Sequence, residues 1–239
     1  MPLLGVLTFA AFPAVAVVVG GIVAAVRPPN ATTRSAVQHF AAGVVFAALA
    51  TELLPEVMHQ RMPLQTIAGF AFGVIAMLVL KALTAHAPEK DVVESGVPKS
   101  LLIALGVDIA LDGLLVGVGF AAGEKQGLLL TIALTLEVLF LGVSAAAALS
   151  RTGATRISIV LVTAGLGGLL LVGAGIGSLF LSGMSSEALD VVLSFSIAAL
   201  LYLVVEELMV EAHEVPETAW LSATFFVGFL VLLVVEMLI

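Results

Sequence analysis

Apolar residues fill long stretches of this chain and are interrupted only by short polar or turn-forming breaks. The stretches lie near 3–26, 36–58, 64–86, 99–122, 126–149, 157–181, 187–212 and 217–239. A run of about 20 apolar residues crosses a bilayer core as a helix. The pattern therefore predicts an all-α, polytopic membrane protein of eight transmembrane helices, folded as one domain over 1–239. The breaks fall at 27–30, around 61–63, at 86–99, 123–126, 151–156, 182–186 and 215–217, and only the connection at 86–99 exceeds a tight loop. Residues 2–26 have no basic residue before them and no small-residue cleavage pattern after them, so they read as a retained helix.

Alternating the sides of successive spans puts Arg27, Arg34, Lys81, Lys90, Lys99, Arg151 and Arg156 on one face and Arg61 and Lys125 on the other. Positive charge concentrates on the cytoplasmic side of membrane proteins, which predicts both termini outside the cytoplasm and the longest loop inside. Composition agrees with the pattern. The chain is 61% hydrophobic and 11% charged, whereas soluble domains are about 45–50% apolar and about 25% charged. The net charge of -8 says little by itself, because many of the acids fall inside or at the ends of apolar runs. The lipid bilayer is the expected surrounding and no nucleic acid partner is expected. With no cysteine, disulfides, thiolate metal sites and cysteine nucleophiles are excluded.

At an offset of 155 residues, FAAGVVFAALATELLPEV (40–57) lies over FSIAALLYLVVEELMVEA (195–212). Phe40 meets Phe195, Glu52 meets Glu207 and Glu56 meets Glu211. Apolar matches arise readily in membrane spans, but two acids in one register do not. The two spans run in opposite directions, which predicts an inverted repeat of the kind that transporters use. A weaker echo at offset 29 aligns Asp108 with Glu137 and Gly113 with Gly142.

Asp108 and Asp112 are four residues apart in the fourth span and so share one helix face. At ~1.5 Å per residue they lie roughly 12 and 18 Å from the start of that span, and Glu137 lies at about 16 Å in the antiparallel fifth. Three acids thus share the membrane midplane, and no Lys or Arg falls at that depth. A carboxylate there is costly unless protonated, paired or bound to a cation, so the group marks an ion or proton site, or else a protonated structural network. Glu52 and Glu56 near one membrane surface, and Glu206, Glu207 and Glu211 near the other, fit an entrance and exit for cations, or simply solvated helix ends. His59 and His213 lie near these acid clusters and are candidate ligands, whereas His39 and His86 read as interfacial. Small residues at Gly69/Gly73, Gly113/Gly117 and Gly173/Gly177, together with Gly142, predict close helix packing.

In these strings the chain resembles the ZIP (Zrt/Irt-like) family of divalent metal transporters, over nearly its whole length. GVVFAALATELLPEV is similar to the second helix of that family, with Glu52 at the position of a histidine, and LLYLVVEELMVEAHE is similar to the seventh, with Glu207 and Glu211 at its acids. DIALDG aligns with the HNxPEG string of the fourth helix, so that Asp108 takes the histidine place and Asp112 the glutamate place, while Ile109 and Leu111 replace the asparagine and proline. Glu137 takes the first ligand position of the fifth helix, but Val138 and Leu141 replace further polar ligands, and the acid often found in the sixth helix is missing. The resemblance implies a 3+2+3 helix arrangement, a homodimer, a cell (inner) membrane location, and an elevator-like motion of helices one, four, five and six against two, three, seven and eight.

Transport of a divalent metal cation, bound by Asp108, Asp112 and Glu137 as substrate and with no resident cofactor, is the expected activity. One metal at most fits the ligands that remain. Zinc follows from the resemblance, whereas three carboxylates and no imidazole favour manganese, iron(II) or another harder cation. A proton-coupled carrier of another solute and a ZIP-like chain that has lost transport are the alternatives. An enzyme is not expected: two buried acids could serve an intramembrane aspartyl protease, but its GxGD string is absent.

Overall fold

A computed structural model describes residues 2–27, 29–85, 99–181 and 184–238. Eight of its helices are long and apolar enough to cross a membrane. They are α1 (Leu3–Val26), α2 (Ala31–Gln60), α3 (Pro63–Ala85), α4 (Lys99–Ala122), α5 (Glu124–Arg151), α6 (Arg156–Leu181), α7 (Ser186–Ala212) and α8 (Ala219–Leu238). The protein is all-α and polytopic. The long connection expected at 86–99, with His86 and Lys90, lies almost wholly outside the described residues.

Most boundaries fall within two residues of the hydropathy pattern, but α2 begins five residues earlier, at Ala31. The reason is local chemistry. Asn30 accepts a hydrogen bond from Thr33 N at 2.7 Å and caps the helix, and the polar first turn, Thr32 to Arg34, carries no apolar signal. Pro55 does not end this helix, which continues to Gln60. A wide π-type turn at Leu49–Leu53 precedes the proline and relaxes the backbone ladder there. The helix stops at Arg61, the one described non-glycine residue with positive φ, 53°. A left-handed residue at this point costs about 1 kcal/mol unless it is glycine. Arg61→Gly is therefore expected to leave the fold intact and raise the midpoint of thermal unfolding in detergent slightly, by up to about 1 kcal/mol of stability.

Two sets of helices share the chain. α1 packs on α5 and α6, and α4 packs on α6 and α5, which makes one four-helix group; α2 packs on α8 and α3 on α7 in the other. The groups meet where α2 touches α5 and where α4 touches α7. Backbones approach closely at glycine. A Cβ on Gly113 of α4 would lie 2.1 Å from the Leu170 carbonyl oxygen of α6, and one on Gly173 of α6 would lie 2.4 Å from the Ala110 oxygen of α4. Gly117 and Gly177 repeat this contact one turn further on, and Gly142 of α5 does the same against Val17 of α1. Without a water-driven hydrophobic effect between spans, such close packing is a main source of helix association. Large apolar side chains such as Phe12, Leu64, Ile75, Leu161 and Phe226 face outward, the inverse of a soluble surface and suited to lipid.

The repeat at offset 155 has structural content. Asn30 caps α2 and Ser185, its counterpart, caps α7. The π-type turn at Leu49–Leu53 has its counterpart at Leu203–Leu208. A Cβ on Gly228 of α8 would meet the Phe40 oxygen of α2 at 2.1 Å, and one on Gly73 of α3 would meet the Phe195 oxygen of α7 at 2.8 Å. Adding 155 to 40 and 73 gives 195 and 228, so exchanging the repeats turns the α2–α8 contact into the α7–α3 contact. That reciprocity is what a two-fold relation produces. The start of α2 lies against the end of α7, since Ser35 Oγ donates to the Ala212 oxygen at 2.6 Å, Gln38 to Glu211 and Arg34 to Glu214. The two helices are antiparallel and the repeat is inverted. Below, the membrane face where α2 begins is called the Arg34 face and the opposite one the Lys125 face.

Candidate functional site

The helical period sets Asp108 and Asp112 on one face of α4, directed toward α5 and α7 rather than lipid. α5 runs antiparallel beside it and brings in Glu137. Relative exposures are 8% for Asp108 and 1% each for Asp112 and Glu137, so all three are buried. One carboxylate oxygen from each lies within 4.8 Å of those from the other two. Asp112 Oδ2 and both oxygens of Glu137 have no hydrogen-bond partner among the described residues. The three acids that the sequence placed at one depth therefore meet in space, and three of their oxygens find no partner among the described residues.

Glu207 joins them from the other helix group. Its carboxyl group faces that of Asp108 across the cavity that both line. The wide turn of α7 contains Glu207 and presents it to α4. Its neighbour Glu206 points elsewhere: it is exposed and pairs with Lys81 Nζ at 2.5 Å, outside the triad. A cavity of about 330 Å³ opens between α3, α4, α5 and α7 and reaches Asp108; Lys81, Glu206, Glu207 and Glu211 line it. A second, of about 380 Å³, lies between Arg34, Ser144, Glu211 and Glu214. Glu211 is common to both, and accepts hydrogen bonds from Gln38 and from Ser144 Oγ, the latter at 3.3 Å.

Toward the Lys125 face the triad is covered by packed apolar side chains. Leu115 and Val116 of α4, Leu130 and Leu134 of α5, and Leu49 and Leu53 of α2 are all buried within one continuous core. Glu52, between Leu49 and Leu53 on the same turn and 5% exposed, lies against Glu236 of α8. Glu56 is half-buried and accepts from Gln60 at 3.4 Å, and His59 is exposed. Neither touches the triad in the described contacts. At the Arg34 face His213 lies against His39 instead, ring centroids 5.3 Å apart.

Several polar residues here were not legible in the sequence. Gln38 and Ser144 look like ordinary helix polar residues, yet both donate to Glu211. Asp190 is fully buried where α3 meets α7 and accepts from Thr66 Oγ1 at 3.0 Å. Four residues into its helix, it has the sequence signature of a solvated end; the available signal was the polar Ser194 one turn on, which is also fully buried and not hydrogen-bonded to it. His39, expected at the membrane interface, lies in the third turn of α2 and is 1% exposed.

No known family model matches this sequence, and no curated protein matches it. The chemistry of the site must be argued from its own side chains. Four acids from three helices, one water-accessible cavity and an apolar plug on the far side can bind a cation, or hold and pass protons.

Proposed function

We propose that this membrane protein carries a divalent metal cation across the bilayer by alternating access, with Asp108, Asp112 and Glu137 as ligands and Glu207 as a fourth contact. The observation that carries this reading is the convergence of three buried carboxylates from two helices, with oxygens of Asp112 and Glu137 that no described residue satisfies. Such a group is costly in a low-dielectric interior, and a doubly charged cation offsets both the repulsion and the missing hydrogen bonds. An all-oxygen ligand set suits manganese, magnesium, calcium or iron(II) better than zinc.

The ZIP-like strings support the same reading. In that reading α1, α4, α5 and α6 move as a body against α2, α3, α7 and α8. The close glycine contacts between α4 and α6 and between α1 and α5 would hold the moving body together. Asp108 and Asp112 would then travel past Glu207, from a cavity on one face to a cavity on the other. The Arg34 face is the cytoplasmic one, both termini lie outside, and the membrane is the cell (inner) membrane. The outward apolar faces of α3 and α8 serve the homodimer that the ZIP resemblance implies.

A second reading has its own support. Two pairs of carboxyl groups, Asp108–Glu207 and Glu52–Glu236, lie side by side within the spans, and a pair of like acids in a low-dielectric interior is suited to sharing a proton. They suit a proton-coupled carrier of another solute. Uptake of radiolabelled Mn2+ and Zn2+ into proteoliposomes separates the two. The first reading predicts saturable metal uptake in the wild type that is lost in Asp112→Asn. Proton flux without metal uptake would establish the second, and absence of both would mark a relative that no longer transports.

A further inference from the structure

We propose that His39, His213 and Glu217 form a separate divalent-metal site at the Arg34 face, distinct in chemistry from the carboxylate triad. His39 lies in the third turn of α2, 1% exposed. Its Nδ1 is 2.9 Å from the Ser35 carbonyl oxygen. A carbonyl only accepts, so the ring proton sits on Nδ1 and Nε2 presents a lone pair. That Nε2 is buried and has no hydrogen-bond partner among the described residues.

The same arrangement is found on the facing element. His213 directly follows α7, and its Nδ1 lies 2.6 Å from the Met209 carbonyl oxygen. Its Nε2 is therefore the other free lone pair, 3.7 Å from Glu217 Oε2, at the approach to α8. One ligand atom from each of the three residues lies within 4.8 Å of those from the other two. Two imidazole lone pairs and a carboxylate thus face one another with no donor between them, and a cation satisfies all three. Arg34 is close by in sequence but is engaged with Glu214.

Histidines that bind metal through Nε2 are typically oriented by an Nδ1–H donated to a carbonyl, and both rings have that support here. Two nitrogens and one oxygen form a borderline ligand set, suited to Zn2+, Co2+ or Fe2+, with a fourth position open to water. A tetrahedral ion would draw the ligand atoms to about 3.3 Å apart. His39 is fixed, since Ser35 also ties its helix to Ala212, whereas His213 and Glu217 are exposed, and the contacts of His213 Nδ1 with the Met209 oxygen and of Glu217 Oε1 with Ser222 Oγ leave Nε2 and Oε2 to close onto it. A bound ion would join the start of α2, the end of α7 and the approach to α8, beside the Gln38–Glu211 contact at the cavity mouth. This site does not depend on the transport reading.

Co2+ titration of the full-length protein in detergent, without a polyhistidine tag, tests the proposal through visible ligand-field absorption. Four-coordinate histidine-bound Co2+ absorbs strongly, whereas six-coordinate Co2+ in an all-oxygen site absorbs weakly. The wild type and Asp112→Asn are expected to show the strong bands. His213→Gln is expected to lose them, and Glu217→Gln to need at least about tenfold more Co2+, with helical circular dichroism unchanged in both because the substituted side chains are exposed. Strong bands that are missing from the wild type, persist in His213→Gln, or disappear in Asp112→Asn would overturn it.

Discussion

Asp112→Asn is expected to weaken divalent-metal binding at the triad by at least about 100-fold, because even outer partners of metal ligands are commonly worth 10–100-fold. The substitution isolates charge from shape. Asp112 is 1% exposed and packed, and asparagine occupies the same volume, so the cost is not one of a cavity. What is lost is one negative charge beside a doubly charged ion where water screens little. Asp108→Asn and Glu137→Gln should behave similarly, since their oxygens belong to the same 4.8 Å cluster. Glu206→Gln should leave binding unchanged, because that side chain is exposed and pairs with Lys81. The melting temperature of metal-free Asp112→Asn is expected not to fall, as the amide keeps the volume and removes a like charge from a crowded site. Calorimetric titration with Mn2+ reads the binding; wild-type affinity retained in all three triad variants would sink the site.

Gly113→Ala should destabilise the protein by about 1–3 kcal/mol, the usual range for forcing an extra group into a packed interior. The added Cβ would stand 2.1 Å from a backbone carbonyl of α6. A carbonyl held in its own helix cannot rotate away as a side chain can, so α4 must shift relative to α6. The shift would also move Asp112, the preceding residue, and metal affinity should fall with stability. Gly168→Ala is the control. It lies in the middle of α6, but a Cβ there meets nothing within 4 Å, and its midpoint should stay within a degree or so of the wild type in a detergent melt. Equal melting temperatures for the two variants would show that α4 and α6 are not held at backbone contact.

Much of this architecture could be read from hydropathy, because in a membrane span the signal of apolar length is nearly the whole determinant of existence and type. The depth of the three acids was legible too, since rise per residue converts sequence position to depth once the direction of each helix is known. Azimuth was the harder quantity. Glu206 and Glu207 are adjacent and chemically equivalent in sequence, and only the wide turn of α7 decides that Glu207 meets Asp108 while Glu206 meets Lys81. Nothing in residues 203–208 announces such a turn, and no proline is present to suggest one. Asp190 and His39 show a related limit. Both sit near helix ends, where polarity usually means water, and both are buried by a partner helix distant in sequence, α3 for one and the end of α7 for the other. Such docking is a property of tertiary packing, and a linear pattern does not contain it.

The paired wide turns also carry an implication for how the repeat has been kept. Relative to a regular α-helix, a π-type turn absorbs about one surplus residue, and so spares everything after it the rotation of about 100° that an extra residue imposes in a regular helix. Straightening α7 with every residue kept would swing the segment beyond the turn, Glu211 included, about a quarter of the way around. Gln38 and Ser144 would lose the acid they both address. Loss of a single residue within either wide turn is thus absorbed by a return to regular helix, whereas the same loss one turn outside it would rotate every side chain beyond by about 100°.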